Sequence, residues 1–259
     1  MPSTVQHYKL ALSESLRALG VEIKIPDFSK LMKAMEIERP RRPSTNPQWS
    51  LNTVLRYIDE LQEPLSELQL LRKASFLLLL ATGYRISELH ACEREGDFCR
   101  FLENGSLSIR PRSGFLAKNE HPKRPWGTKV VKPLILPDGK ISNLCPVATL
   151  RKYLDFSKSR KGRDMFLPPS EEYKSLTIKK LSYHICSLIV EADPDTKARV
   201  KDVRAYAASF SLEQTMLLGQ LIHEIGWSSA VMFFKHYCVP VETLDRAVAL
   251  PVRVQQGQH

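Results

Sequence analysis

The sequence predicts a mainly α-helical fold with one small antiparallel β-sheet or hairpin, an α+β class. Three observations predict it. Apolar residues recur at helical spacing through most segments. Two short stretches in the middle, 106–110 and 130–136, alternate or carry β-branched residues as strands do. The composition, 43% hydrophobic and 25% charged over 259 residues, is an ordinary globular mix able to build a core. The longest apolar run, Phe76 to Ala81, is far too short to cross a bilayer. The N-terminus lacks the charged-then-apolar pattern of a leader peptide, so membrane and secretory roles are not expected.

The elements follow in order. Residues 8–19 and 28–35 read as two short helices, followed by Arg39-Pro40-Arg41-Arg42-Pro43-Ser44-Thr45-Asn46-Pro47, whose three prolines break helices and mark a linker. This divides the chain into a short helical N-terminal segment with its Pro/Arg linker (1–45), a main domain (46–250) and a loose polar tail (251–259). Ser50 caps a helix through Ile58, because its hydroxyl accepts from the free amides of the first turn. Leu70 to Leu80 is too apolar all round for a surface helix and is expected to be central. Ala81-Thr82-Gly83-Tyr84 interrupts it, and a second helix resumes from Arg85 to Ala91. The two strands come next, joined by a Gly- and Lys-rich connection. Pro137-Asp138-Gly139 is a turn, and 146–156 is a helix opening on a proline suited to its first turn. Residues 176–191, 201–212, 216–225 and 228–237 complete the helices.

The chain carries 38 Lys and Arg against 28 Asp and Glu, a net charge of +10. The excess is concentrated in residues 100–135, with 8 basic and 2 acidic groups. That density points to a polyanion, for which nucleic acid is the natural candidate. The five cysteines, Cys92, Cys99, Cys145, Cys186 and Cys238, are odd in number and widely spaced, which fits neither a zinc ribbon nor a disulfide scaffold. Reduced, buried thiols in an intracellular protein are expected. His7, His184, His223 and His236 stand isolated, and no cluster has metal-ligand spacing, so no metal or cofactor is expected.

Four fragments carry the chemistry: Ala81-Thr82-Gly83-Tyr84-Arg85-Ile86-Ser87-Glu88-Leu89, Lys201-Asp202-Val203-Arg204, Gly226-Trp227-Ser228-Ser229 and Phe234-Lys235-His236-Tyr237. In this order and over this length, roughly residues 49 to 240, the set resembles the tyrosine recombinases. The first fragment is similar to that family's A-T-G-x-R-x-S-E-L box and supplies a first catalytic arginine, Arg85. The second is similar to the H-x-x-R box and supplies Arg204. Trp227 falls where the family has His or Trp, and Tyr237, ten residues later, falls where it has its nucleophile. Trp49-Ser50-Leu51-Asn52-Thr53-Val54-Leu55, Gly114-Phe115-Leu116-Ala117-Lys118 and Leu144-Cys145-Pro146-Val147 resemble more narrowly the recombinases of DIRS-type retrotransposons. The resemblance implies the catalytic-domain fold of that family.

These residue types suit the implied reaction. Direct attack on a phosphodiester adds negative charge to the non-bridging oxygens, and two planar, permanently charged guanidiniums neutralise it. A tyrosine hydroxyl in that field attacks phosphorus, because nearby positive charge lowers the cost of the phenolate. In the family a lysine on a β-hairpin turn protonates the leaving 5′ oxygen. Lys118 is the choice here, with Lys123 and Lys129 close enough to compete. Lys201 stands where most members have histidine and needs burial to act as a neutral base; stabilisation of charge, as in type IB topoisomerases, is its alternative role. Trp227 offers an indole N–H, a donor only. A plain structural reading stands beside each assignment: Arg85 paired with Glu88 at i+3 on a helix, and Tyr237 and Trp227 as core aromatics.

The implied function is site-specific cleavage and rejoining of double-stranded DNA through a 3′-phosphotyrosyl link. It would involve a homotetramer on two duplexes and, given the DIRS-like fragments, a nuclear location. The N-terminal segment is shorter than the family's usual helical core-binding domain. The competing classes are a non-catalytic DNA-binding module and a monomeric topoisomerase.

Overall fold

A computed structural model describes residues 2–21, 34, 37–38, 47–117, 128–170 and 175–213. The chain divides into two compact units, Met1–Thr45 and Asn46–His259. In the first, helix α1 spans Pro2–Ala18. It starts earlier than the periodicity predicts, and Tyr8, Leu10 and Leu12 on it are exposed. The expected helix at 28–35 lies almost wholly outside the described residues, as do the linker up to Asn46, the helices at 216–225 and 228–237, and the tail.

The second unit opens with α2, Leu51–Asp59. Its buried residues, Leu51, Val54, Leu55 and Ile58, follow the i, i+3, i+4, i+7 spacing of one helical face. Ser50 Oγ accepts from the Thr53 amide, as the sequence predicts. Helix α3, Glu67–Thr82, is buried on nearly every side from Leu70 to its end. Leu77, Leu78, Leu79 and Leu80 are almost fully enclosed. Each such side chain contributes about 1.5–3 kcal/mol on leaving water, so this helix is the axis of the core. Around it pack α5 (Pro146–Phe156), α6 (Ile178–Ala192) and α7 (Val200–Glu213). Helix α5 has Pro146 in its first turn, and Cys145 Sγ accepts from the Ala148 amide. The short helix α4, Ile86–His90, follows α3 and packs on α6.

The sheet has three antiparallel strands in the order β1 (Cys99–Phe101), β2 (Leu107–Ile109) and β3 (Lys129–Val131). Phe101 pairs with Leu107, Leu107 with Val131, and Ile109 with Lys129. Two expectations are corrected here. Strand β1 was not foreseen, because three residues give no readable alternation. The strand expected over 130–136 ends at Val131, just short of Pro133, which has no amide to donate to a ladder. Ile135 instead bridges to Ile141 across the expected Pro137-Asp138-Gly139 turn. The class, mainly helical with a small antiparallel sheet, is as predicted.

Cys92, Cys99 and Cys145 are buried and Cys186 half-buried, all as free thiols; Cys238 lies outside the described residues. Burial holds the Cys92 thiol well above its usual range and pushes Cys99 up to about 11.

Candidate active site

The end of α3 fixes the site. Gly83 takes the left-handed conformation (φ 60°, ψ 19°) that side chains other than glycine's disfavour, and its amide donates to the Leu79 carbonyl. Thr82 Oγ1 donates to the Leu78 carbonyl at 2.7 Å and accepts from the Tyr84 amide at 3.3 Å. The helix therefore stops sharply. Tyr84, buried, reaches across to donate its hydroxyl to the Ile109 carbonyl on β2 at 3.2 Å. The turn is thus tied to the sheet, and the residue it presents next is Arg85.

Arg85 caps α4 in extended conformation (φ −73°, ψ 155°). Its amide donates to Glu88 Oε2 at 2.8 Å and its Nη1 to Glu88 Oε1 at 2.7 Å. Arg204, on α7, brings its Nη1 to within 3.4 Å of the same Oε2. Glu88 is 1% exposed and Arg204 3%, while the Arg85 side chain keeps 20% of its surface. Two guanidiniums 119 positions apart in sequence therefore meet on one buried carboxylate, with one of them facing outward. The sequence reading treated the Arg85–Glu88 pairing as the alternative to a catalytic Arg85. The geometry contains both, because the pairing is what aims the arginine. The missed residue is Glu88, whose signal was its place in the Ala81 to Leu89 box.

Lys201 lies in the first turn of α7 and is exposed, so the burial that a neutral base there requires is absent. Its neighbour Asp202 is buried and accepts from Arg199 Nε at 2.9 Å. Of the three lysines competing for the proton-donor role, Lys118 and Lys123 lie outside the described residues, as do Trp227 and Tyr237. Lys129 is described. It sits on the core-facing side of β3, donates to the Thr82 carbonyl and lies over the Tyr84 ring, 4.8 Å from its centroid. That ammonium braces the turn that carries Arg85, a cation–π contact and a charged hydrogen bond acting together. Among the described residues no group of His, Cys, Asp and Glu is arranged to hold a metal ion, and no helix is long and apolar enough to cross a membrane.

No family model and no curated protein matches the chain. Solved structures do. XerH site-specific recombinase bound to difH substrate, in a pre-cleavage complex, matches with a TM-score of 0.52 and 16% identity over 74% of this chain and 49% of that one. XerA recombinase matches with a TM-score of 0.51 and 19% identity, over 92% of this chain and 78% of that one. The Tn1549 transposon integrase in complex with transposon right-end DNA gives 0.50 and 15%, over 86% and 77%.

The chain has a tyrosine-recombinase fold.

It spans about half the length of the XerH chains it matches. Within the recombinase fold, the Arg85–Glu88–Arg204 corner offers a fixed pair of cations that share the buried Glu88 carboxylate. A phosphate at the outward side of Arg85 would meet positive charge already oriented, with little reorganisation to make.

Proposed function

We propose that this chain is a site-specific DNA recombinase that cleaves and rejoins strands through a 3′-phosphotyrosyl intermediate. The observation that carries the proposal is the convergence of Arg85 and Arg204 on buried Glu88. Tyr237 releases its phenolic proton to solvent and its oxygen attacks phosphorus. The bond to the 5′ oxygen breaks, and Lys118 gives that oxygen its proton. Arg85 and Arg204 neutralise the charge that develops on the non-bridging oxygens, with Lys201 adding positive charge and the Trp227 indole N–H donating to one oxygen. Rejoining is the reverse, with a 5′ hydroxyl attacking the phosphotyrosine, so the energy of the broken bond is retained and no cofactor is consumed.

In this reading residues 46–250 form the catalytic domain and the substrate is double-stranded DNA. Exchange takes place in a tetramer on two duplexes. The DIRS-like fragments support reading it as a eukaryotic mobile-element recombinase acting in the nucleus.

The test is covalent trapping on a pool of nicked duplexes of randomised sequence, resolved on denaturing gels beside Tyr237→Phe. The expected result is an adduct from the parent protein only, with both proteins binding duplex. No adduct from the parent while binding is intact would overturn the proposal in favour of a non-catalytic DNA-binding module.

A further inference from the structure

A further buried cation, besides Arg204 and Lys129, lies about 15 Å along α3 from the Gly83 turn, at 1.5 Å per residue. Lys73 is 3% exposed, and among the described residues its ammonium has neither a hydrogen-bond acceptor nor a carboxylate within ion-pair distance. It borders a pocket of about 160 Å³ between α3, the 141–143 segment and the first turns of α5, lined also by Glu63, Ser142, Ala148, Thr149 and Lys152. The Thr149 side chain is likewise buried and has no hydrogen-bond partner among the described residues. Glu63 and Lys152 stand at the more exposed mouth and satisfy each other at 2.8 Å. The Lys73 charge is therefore offset only at longer range, by Glu63 and Asp59, with no direct partner among the described residues. An isolated ammonium in such a place is costly unless something pairs with it. Ala148 and Thr149 belong to the first turns of α5, whose aligned peptide dipoles favour negative charge at that end. The volume exceeds that of a single water, about 30 Å³, and leaves room for a small tetrahedral ion.

We infer that this pocket binds a phosphate-class oxyanion, held by the Lys73 ammonium and the Thr149 hydroxyl, at a site separate from the Arg85–Glu88–Arg204 corner. The ion is either free inorganic phosphate or a phosphate of the DNA backbone, and the chemistry of recognition is the same for both. The inference does not depend on catalysis.

Thermal unfolding of the full chain in chloride and in inorganic phosphate at matched ionic strength tests it, with Lys73→Met and Thr149→Val. The parent Tm rises by about 5–10 °C when phosphate reaches a hundredfold excess over its Kd. Lys73→Met, which replaces the unpaired ammonium with an apolar chain of similar length, has a higher Tm than the parent in chloride and no response to phosphate. Thr149→Val keeps the charge and weakens phosphate binding about tenfold. A second arm separates the sources. Unchanged duplex affinity in Lys73→Met assigns the site to the free ion, whereas a loss of affinity, with duplex suppressing the phosphate response of the parent, assigns it to the backbone. Equal phosphate responses in parent and Lys73→Met, or a lower Tm of Lys73→Met in chloride, would overturn the inference. Trapping by Tyr237 is a separate readout, so the two proposals fail separately.

Discussion

Helix α3 has a buried cation near each end, and the two are treated differently. Beyond its C-terminal end, Arg204 is enclosed but shares the Glu88 carboxylate with Arg85. In its N-terminal half, Lys73 is enclosed just as fully with no carboxylate within ion-pair distance among the described residues, Glu63 and Asp59 acting on it only from farther off. The first site is neutralised from below and presents its spare charge outward. The second holds its charge facing a pocket. The difference shows what burial alone does not. An enclosed cation with a carboxylate beneath it is a finished piece of architecture, whereas an enclosed cation that faces a pocket has room for the oxyanion inferred above.

The largest effect should come from removing the shared carboxylate. Glu88→Ala leaves Arg204 enclosed without its partner and strips the Arg85 amide and Nη1 of their acceptor, which costs about 3–5 kcal/mol of folding stability. Urea unfolding monitored by circular dichroism measures it. Glu88→Gln, which keeps one acceptor oxygen but replaces the other with an amide donor and removes the charge, should cost clearly less. If the two variants cost the same, charge rather than hydrogen bonding holds the corner together. The equivalent change at the other end of α3, Lys73→Met, should move stability in the opposite direction.

Next comes the geometry of the guanidiniums. Arg204→Lys keeps a positive charge but loses the planar fork that reaches Glu88 and that, in the proposed function, would also meet a phosphate oxygen. Loss of one such donor from a transition state typically costs 10²–10³-fold in rate, about 2.7–4 kcal/mol. Trapped adduct per minute on nicked duplex should fall by that factor. A lysine variant with full activity would mean that Arg204 is needed for its charge alone.

These contrasts trace back to what each residue type shows in a sequence. Helices α2 and α5 were legible because a cap or a proline marks the start and four or five apolar residues repeat with a helical period. The interruption at Gly83 was legible because glycine there follows an apolar run that ends on threonine. Arg85 and Arg204 were found through their boxes, yet their meeting on Glu88 was not, since contact between residues 88 and 204 is decided by how α4 and α7 pack. Strand β1 was missed because three residues carry no period. Lys73 left a trace that passed unused. It lies inside a helix called central because it is apolar all round, and a lysine on such a helix has no water to extend toward. Strongly periodic local order can be read from a chain, whereas the pairing of charges across helices cannot.

The two ends of α3 also differ in how the helix is closed, which predicts smaller effects. At the C-terminus, Gly83→Ala forces a β-carbon into the left-handed region and should cost about 1–2 kcal/mol. It also disturbs the Tyr84 and Arg85 geometry that follows, so strand cleavage should fall with it. At the N-terminus, Ser66 and Gln69 form a reciprocal capping box, the Ser66 amide donating to Gln69 Oε1 at 2.9 Å and the Gln69 amide to Ser66 Oγ at 3.3 Å. Ser66→Ala should cost about 1 kcal/mol and leave cleavage unaltered. Equal losses of cleavage in both variants would show that the corner responds to the stability of α3 as a whole rather than to the turn that aims Arg85.

The smallest effect is one of pH, and it isolates the Lys73 end. Burial lowers the Lys73 ammonium from its ordinary value of 10.5, with Lys152 adding to the shift and Glu63 and Asp59 opposing it. Between the lowered value and 10.5, the unfolded chain holds more proton at this lysine than the native chain does. Native stability from this group therefore rises as pH rises through that window, by less than one proton's worth, under about 1.4 kcal/mol per pH unit. Tyr57 and Tyr153 act in the opposite sense, since burial raises both above 10 and their contribution is lost at alkaline pH. The measurement is thus the difference between parent and Lys73→Met in urea unfolding from pH 8 upward, in which the tyrosine contributions cancel. The advantage of Lys73→Met over the parent should shrink as pH increases, and saturating phosphate in the parent should shrink it already at pH 8 by supplying the missing charge. A gap between the two proteins that stays constant with pH would mean that the Lys73 ammonium is not held out of its ordinary environment. The contrast between the two ends of α3 would then come down to the Glu88 corner alone.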